Sequence, residues 1–115
     1  MKSVIYNRIP ASDPALVAKA ATFGVADLHE SLGAIRGRQC LMSPAMRPIA
    51  PGQRLCGPAV TGYNYPGDNL MVHAALNVAP PGSVLVFTNG GSSQGAQWGD
   101  VACTFAVKQG VAGAI

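Results

Sequence analysis

Charge and aromatic rings are both scarce in this sequence. Only 11% of its 115 residues are charged, and the aromatics amount to three tyrosines, three phenylalanines and one tryptophan. A nucleic-acid surface needs a dense basic patch with aromatics interleaved. Arg36, Arg38, Arg47 and Arg54 lie between the first helical region and the first strand without such a pattern, and the net charge is only +3. No nucleic-acid partner is expected. Cysteine is sparse too: Cys40, Cys56 and Cys103 are odd in number, widely spaced and free of any C-x-x-C. That excludes a disulfide framework and a zinc site, and the three read as reduced thiols of a cytosolic protein. With only His29 and His73 present, no Ser-His-Asp or Cys-His arrangement can be assembled, so a nucleophile mechanism has little support. The opening "MKSVIYNRIP" has no apolar signal-peptide core, and no run reaches membrane length. A soluble, cytoplasmic chain without a membrane partner is expected.

What is abundant is apolar side chain, 49% of the sequence. That suffices for a core, and residues 1–115 read as a single domain. So little charge also leaves apolar surface over, which predicts a buried interface between subunits or domains.

Along the chain, Ser12 or Asp13 caps a first helix with Pro14 at its first position and Leu16, Val17 and Ala20 as its stripe. Phe23-Gly24 breaks it. A second short helix covers 25–32, with Val25, Leu28 and Leu32 on one face and Gly33 as its stop. Residues 34–53 read as irregular. A strand with a Gly-Pro irregularity is expected over 54–65. "PGDN" is a turn whose Asp68 caps a helix over 69–79, with Met71, Ala75 and Val78 inward and Leu70 and Ala74 beside them. "SVLVFTN" (83–89) reads as a strand buried on both faces. A glycine loop follows, then a helix over 98–109 with Val101, Ala102, Phe105 and Ala106 inward, then a further buried strand, "VAGAI". Strand–helix–strand repetition predicts an α/β fold with parallel pairing. Because the sequence stops in a core strand, a truncated domain is expected.

The stretch "GGSSQGAQWGDVACTF" (90–105) joins a glycine loop to a helix start, an arrangement that suits an anion. It lacks the lysine and hydroxyl of a P-loop and the G-x-G-x-x-G of a dinucleotide fold. The N–H groups of Asp100, Val101 and Ala102 have no partner within the helix. Two readings of Asp100 stay open. It can complement the helix dipole, which composition alone favours, or it can face a hard divalent cation placed between it and an anion. His29 and Glu30 form an isolated pair without a second histidine at Gly33, and read as a surface or packed pair. His73, near Asn69 and Asn77, reads as a structural histidine.

Taken in order, "ADLHESLG", "MRPIAPGQRLCGPAVTG", "PGDNLMVHAALNVAPPGSVLVF" and "WGDVACTFAVKQGVAGAI" resemble the class II pyruvate aldolase family. Its members cleave 4-hydroxy-4-methyl-2-oxoglutarate and 4-carboxy-4-hydroxy-2-oxoadipate, in aromatic-compound degradation. The same superfamily includes the regulator of ribonuclease E activity A. The resemblance covers nearly the whole chain and rests on "GxAVT", "PGDN" and "WGD" in that order. It implies a swivelling β/β/α-type domain, assembled as a homotrimer or hexamer. It also implies a 2-oxo acid substrate, a divalent cation (Mg²⁺ or Mn²⁺), and contact with the pyruvyl group through Gly99, Asp100, Val101 and Ala102. Asp100 would be the catalytic residue, orienting a water of the metal shell. The direct metal ligand, in an Arg-Asp pair, would fall beyond Ile115, so the 115 residues alone are expected to be inactive. The implied chemistry is metal-assisted cleavage of the bond between C3 and C4, giving pyruvate by way of its enolate, with oxaloacetate decarboxylation as a side activity. The rival within the superfamily is a non-catalytic regulator of ribonuclease activity acting by protein–protein binding.

Overall fold

The computed structural model describes residues 3–115. The chain divides into two compact units: Asp13–Cys56, and Gly57–Ile115 together with the N-terminal segment up to Ser12.

The unit Asp13–Cys56 is helical. Helices α1 (Pro14–Ala20), α2 (Val25–Ser31) and α3 (Ala34–Gln39) follow one another. Asp13 caps α1 by accepting the Ala15 N–H at 2.8 Å, with Pro14 at the first helical position, as expected. Asp27 ties the start of α2 by accepting the Gly24 N–H at 2.9 Å. Neither α1 nor α2 contains a buried residue; Leu16, from the expected α1 stripe, is 65% exposed.

Helix α3 corrects the expectation of an irregular 34–53. Gly33 ends α2 as predicted, and it also starts α3, because its φ of +78° turns the chain at once into a new helix. The two helices meet closely. Gly37 is buried, and a Cβ there would stand 2.5 Å from the His29 carbonyl oxygen and 2.8 Å from its ring. His29 is therefore a packed, half-buried residue of this corner. Farther on, the Arg54 guanidinium donates to the Phe23 carbonyl at 3.0 Å and to that of Ala21 at 3.3 Å, fixing the α1–α2 corner.

The second unit is β1 (Ala59–Tyr63), α4 (Leu70–Val78), β2 (Val84–Thr88), α5 (Asp100–Gln109) and β3 (Gly113–Ala114). Its three strands form a parallel sheet in the order β1-β2-β3, with Val60 opposite Leu85 and Leu85 opposite Ala114. The α/β class with parallel pairing is borne out. Both helices cover one face of the sheet. Val72, Ala75, Leu76 and Ala79 of the α4 segment and Ala102 and Ala106 of α5 close over Val60 and Leu85, with Ile9, Phe87, Trp98 and Val111 at the margin.

Several expectations about this unit need correction. Strand β1 begins at Ala59, not at residue 54, since Gly57-Pro58 interrupts the ladder: a Cβ on Gly57 would meet the Gly82 carbonyl oxygen at 2.3 Å, and Pro58 has no N–H to donate. Helix α4 turns Val72, Ala75 and Leu76 into the core, whereas Leu70 is 54% exposed and Met71, Ala74 and Val78 are half-buried. On α5 only Ala102 and Ala106 are buried, while Val101 is 73% exposed and Phe105 also faces outward. Small residues make up the α5 contact, where Ala102 and Ala106 let the helix approach α4 closely and join the cluster over Leu85. Strand β2 is buried at Val84 and Leu85 and half-buried at Val86 and Phe87. Strand β3 is a two-residue edge with neither residue buried.

Candidate site at the C-terminal edge of the sheet

In parallel α/β sheets, ligands bind outside the carboxyl ends of the strands, where loops and helix N-termini converge. Here that edge is formed by the β1–α4 turn and by the glycine loop leading from β2 into α5.

The two loops touch through glycine. Gly95 has φ +75°, and a Cβ on it would lie 2.7 Å from the Gly67 Cα, so backbone rests on backbone. One buried side chain ties the edge together. Asn64, the residue after β1, is 1% exposed. Its N–H donates to the Thr88 carbonyl at 2.8 Å, its Oδ1 accepts the Met71 N–H at 3.1 Å, and its Nδ2 donates to Gln97 Oε1 at 3.0 Å. Asn64 thus joins the end of β2, the first turn of α4 and the glycine loop. Asp68 accepts the Leu70 N–H at 2.9 Å and so performs the capping expected of it, with Asn69 as the residue at the helix boundary. Just after Gln97, Trp98 packs on Phe87 with ring centroids 6.4 Å apart.

Helix α5 opens at Gly99 and Asp100. The Cys103 N–H reaches the Gly99 carbonyl at 2.9 Å, and the Val101 N–H donates to Asp100 Oδ1 at 2.9 Å. Of the three N–H groups expected to be free, Val101's is therefore engaged by Asp100 itself. Those of Asp100 and Ala102 have no hydrogen bond among the described residues. Asp100 is exposed, and a Cβ on Gly99 would meet nothing within 4 Å. Since φ at Gly99 is −147°, a conformation open to any residue, the missing side chain leaves clear space beside the helix mouth that the backbone does not require. Of the four expected contact residues, Gly99, Asp100 and Val101 are exposed and Ala102 is buried, so Ala102 has only its N–H to offer.

Asp100, Val101, Thr104, Phe105 and Lys108 line a shallow depression of about 300 Å³. A larger open groove of about 720 Å³ runs between residues 3–10, β1 and the outer side of α4. Tyr63, Asn64 and Asp68 line one end of it, but Asp100 is not among its residues. The chemistry legible in the sequence lies at the helix mouth, not in the larger space.

Among the described residues, no three His, Cys, Asp or Glu gather to hold a metal ion. Asp100 brings one carboxylate, with one oxygen oriented by the Val101 N–H. That donor set fits a hydrogen bond to water on a hydrated divalent cation, which binds through few carboxylates and keeps several waters. It does not make a cage. His73 is exposed on α4, away from any such cluster.

Asn64 and Gln97 escaped the sequence reading. The only signal for Asn64 was a polar residue directly after an apolar strand, and nothing in the spacing connects it with position 97.

Fold and edge define the class: an α/β protein with a parallel βαβαβ sheet and a glycine loop at its carboxyl end. The chain belongs to the RraA-like family, whose model, described as Aldolase/RraA, matches residues 25–115. That family covers aldolases and ribonuclease E regulators alike. No solved structure matches the chain. None of the helices among the described residues is long and apolar enough to cross a membrane.

Proposed function

We propose that this chain belongs to the aldolase side of its family and takes part in divalent-metal-dependent cleavage of 4-hydroxy-2-oxo acids to pyruvate and a second oxo acid. One observation carries the reading: an exposed carboxylate, Asp100, stands at the mouth of α5 beside open space at Gly99. Beside it the N–H groups of Asp100 and Ala102 are left without a hydrogen bond among the described residues, which suits a bound carboxylate.

The residues of this chain divide the work simply. The N–H groups of Asp100 and Ala102 point from the positive end of α5 and take the substrate carboxylate. Gly99 leaves room for the pyruvyl group to approach. The second carboxylate oxygen of Asp100 holds and orients a water. A Mg²⁺ or Mn²⁺ ion, when bound, supplies Lewis-acid polarisation of the 2-oxo group. Its direct ligand, with an arginine for the substrate, would come from an Arg-Asp pair outside these residues, and the assembly would be a homotrimer or hexamer.

The test is pyruvate release from a 4-hydroxy-2-oxo diacid with and without Mg²⁺, using the chain continued through that pair. Asp100→Ala should lose about a hundredfold or more in kcat, as for removal of one preorganised group, and keep its melting temperature. Gly99→Val should fold normally and bind pyruvate poorly. Unchanged turnover in Asp100→Ala would overturn the reading.

A second reading is a regulator of ribonuclease activity that acts by binding protein. The Asp100–Val101 contact favours it, because a carboxylate occupied with its own helix is what a purely structural aspartate looks like. Binding of a ribonuclease by the continued chain, together with no pyruvate release, would select it.

A further inference from the structure

The pair Asn64–Gln97 invites an explanation, because its parts do not balance energetically. Gln97 gives its Oε1 to Asn64 Nδ2 at 3.0 Å, but its own Nε2 is buried without a hydrogen-bond partner. An orphaned buried donor is unfavourable, yet an apolar side chain in place of glutamine would orphan the buried Asn64 Nδ2 in its turn. Glutamine is therefore held here by its bond to Asn64, and the geometry of that bond is what it serves. Gln97 lies two residues before Gly99, in a loop whose own glycines 90, 91 and 95 all sit at positive φ and supply no side-chain anchor. Asn64, by contrast, is fixed from three sides, by β2, α4 and its own burial.

We infer that Asn64 and Gln97 form a positioning clamp: Asn64 holds the glycine loop through Gln97 and so sets where Gly99 and Asp100 present themselves at the mouth of α5. Neither is a catalytic residue. The clamp couples the carboxyl ends of β1 and β2 to the first turn of α5, so that the site's geometry is inherited from the sheet. Its consequence for substrate rests on the aldolase reading, whereas its consequence for the loop does not.

Trp98, the one tryptophan of the 115 residues, adjoins Gln97 and reports on the loop directly. The first experiment records Trp98 emission and acrylamide quenching in the 115-residue chain, beside helical circular dichroism and melting. Gln97→Met keeps the length of the side chain and removes its amide. It should melt below wild type, because the buried Asn64 Nδ2 loses its acceptor, and well below that melting point Trp98 should shift to the red and become more quenchable. Gln97→Glu keeps an acceptor for Asn64 Nδ2 but sets a charged oxygen where Nε2 is buried, so its emission should fall between those of wild type and Gln97→Met. Should Gln97→Met fail to fold, Gln97→Leu makes the same comparison. Unchanged emission and quenching in the amide-free variant would overturn the clamp.

The second experiment titrates pyruvate with Mg²⁺ into the continued chain. Gln97→Met should bind about five- to tenfold more weakly, the scale of one directed hydrogen bond. Equal affinity in wild type and Gln97→Met would overturn the link from clamp to site. If wild type itself does not bind pyruvate, the aldolase reading falls and the Trp98 measurement still decides the clamp.

Discussion

The two units of this chain are held together by different physics. In Gly57–Ile115, three parallel strands and two helices bury a shared cluster, with Leu85, Leu76 and Val72 at 0–1% exposure. In Asp13–Cys56 the helices run six or seven residues, and Gly37 is the one buried residue they contain. Their order comes from local devices, Asp13 on Ala15, Asp27 on Gly24 and the left-handed turn at Gly33, and from one long-range tie, Arg54 on the α1–α2 corner. Helices this short do not persist on propensity alone. Long-range burial therefore carries Gly57–Ile115, and caps and close backbone contact carry Asp13–Cys56.

Four substitutions would sharpen or break that contrast. Leu85→Ala should cost about 3 kcal/mol, the usual loss for a fully buried leucine, read by urea denaturation with β-sheet dichroism. Gly37→Ala comes next: the new Cβ collides with His29, and overpacking of about 1–3 kcal/mol exceeds the roughly 0.5–1 kcal/mol of helix propensity gained. Loss of helical signal at lower temperature would show it. Removing the α1 cap with Asp13→Ala should cost about 1 kcal/mol, again read from helical melting. Val101→Thr should change stability by less than about 0.5 kcal/mol, because the side chain faces outward. A large loss there would restore the inward reading of Val101 and contradict the helix orientation described above.

What the sequence discloses follows the same division. Start and stop signals worked where a residue acts on its immediate neighbours: Asp13-Pro14 for α1, Gly33 for the end of α2, Asp68 for the start of α4, Gly110 for the end of α5. The central strand β2 stood out as an apolar run between turns. Helix faces were harder. "LMVHAALNV" is apolar nearly all round, so its stripe fits more than one rotation, and only the exposed His73 and Asn77 mark its outer side. On α5, Val101, Ala102, Phe105 and Ala106 straddle two faces, and close packing selects the alanines over the larger side chains. Helix α3 was illegible because Ile35 is 77% exposed and no amphipathic stripe exists to be read. At the site, Gly99 and Asp100 were visible as a loop running into a helix. The Asn64–Gln97 bond spans 33 positions and was not, since a contact made by tertiary closure leaves no local pattern.

The central claim is that Asp100 faces a divalent cation which links it to a bound 2-oxo acid. A crystal structure of the continued chain with pyruvate and Mg²⁺ tests it most directly. The account predicts an ion whose bound water donates to the Asp100 carboxylate, with the pyruvate carboxylate on the N–H groups of Asp100 and Ala102 and its body in the space beside Gly99. An Asp100 side chain bonded only to Val101, with ion and pyruvate elsewhere or absent, would contradict it.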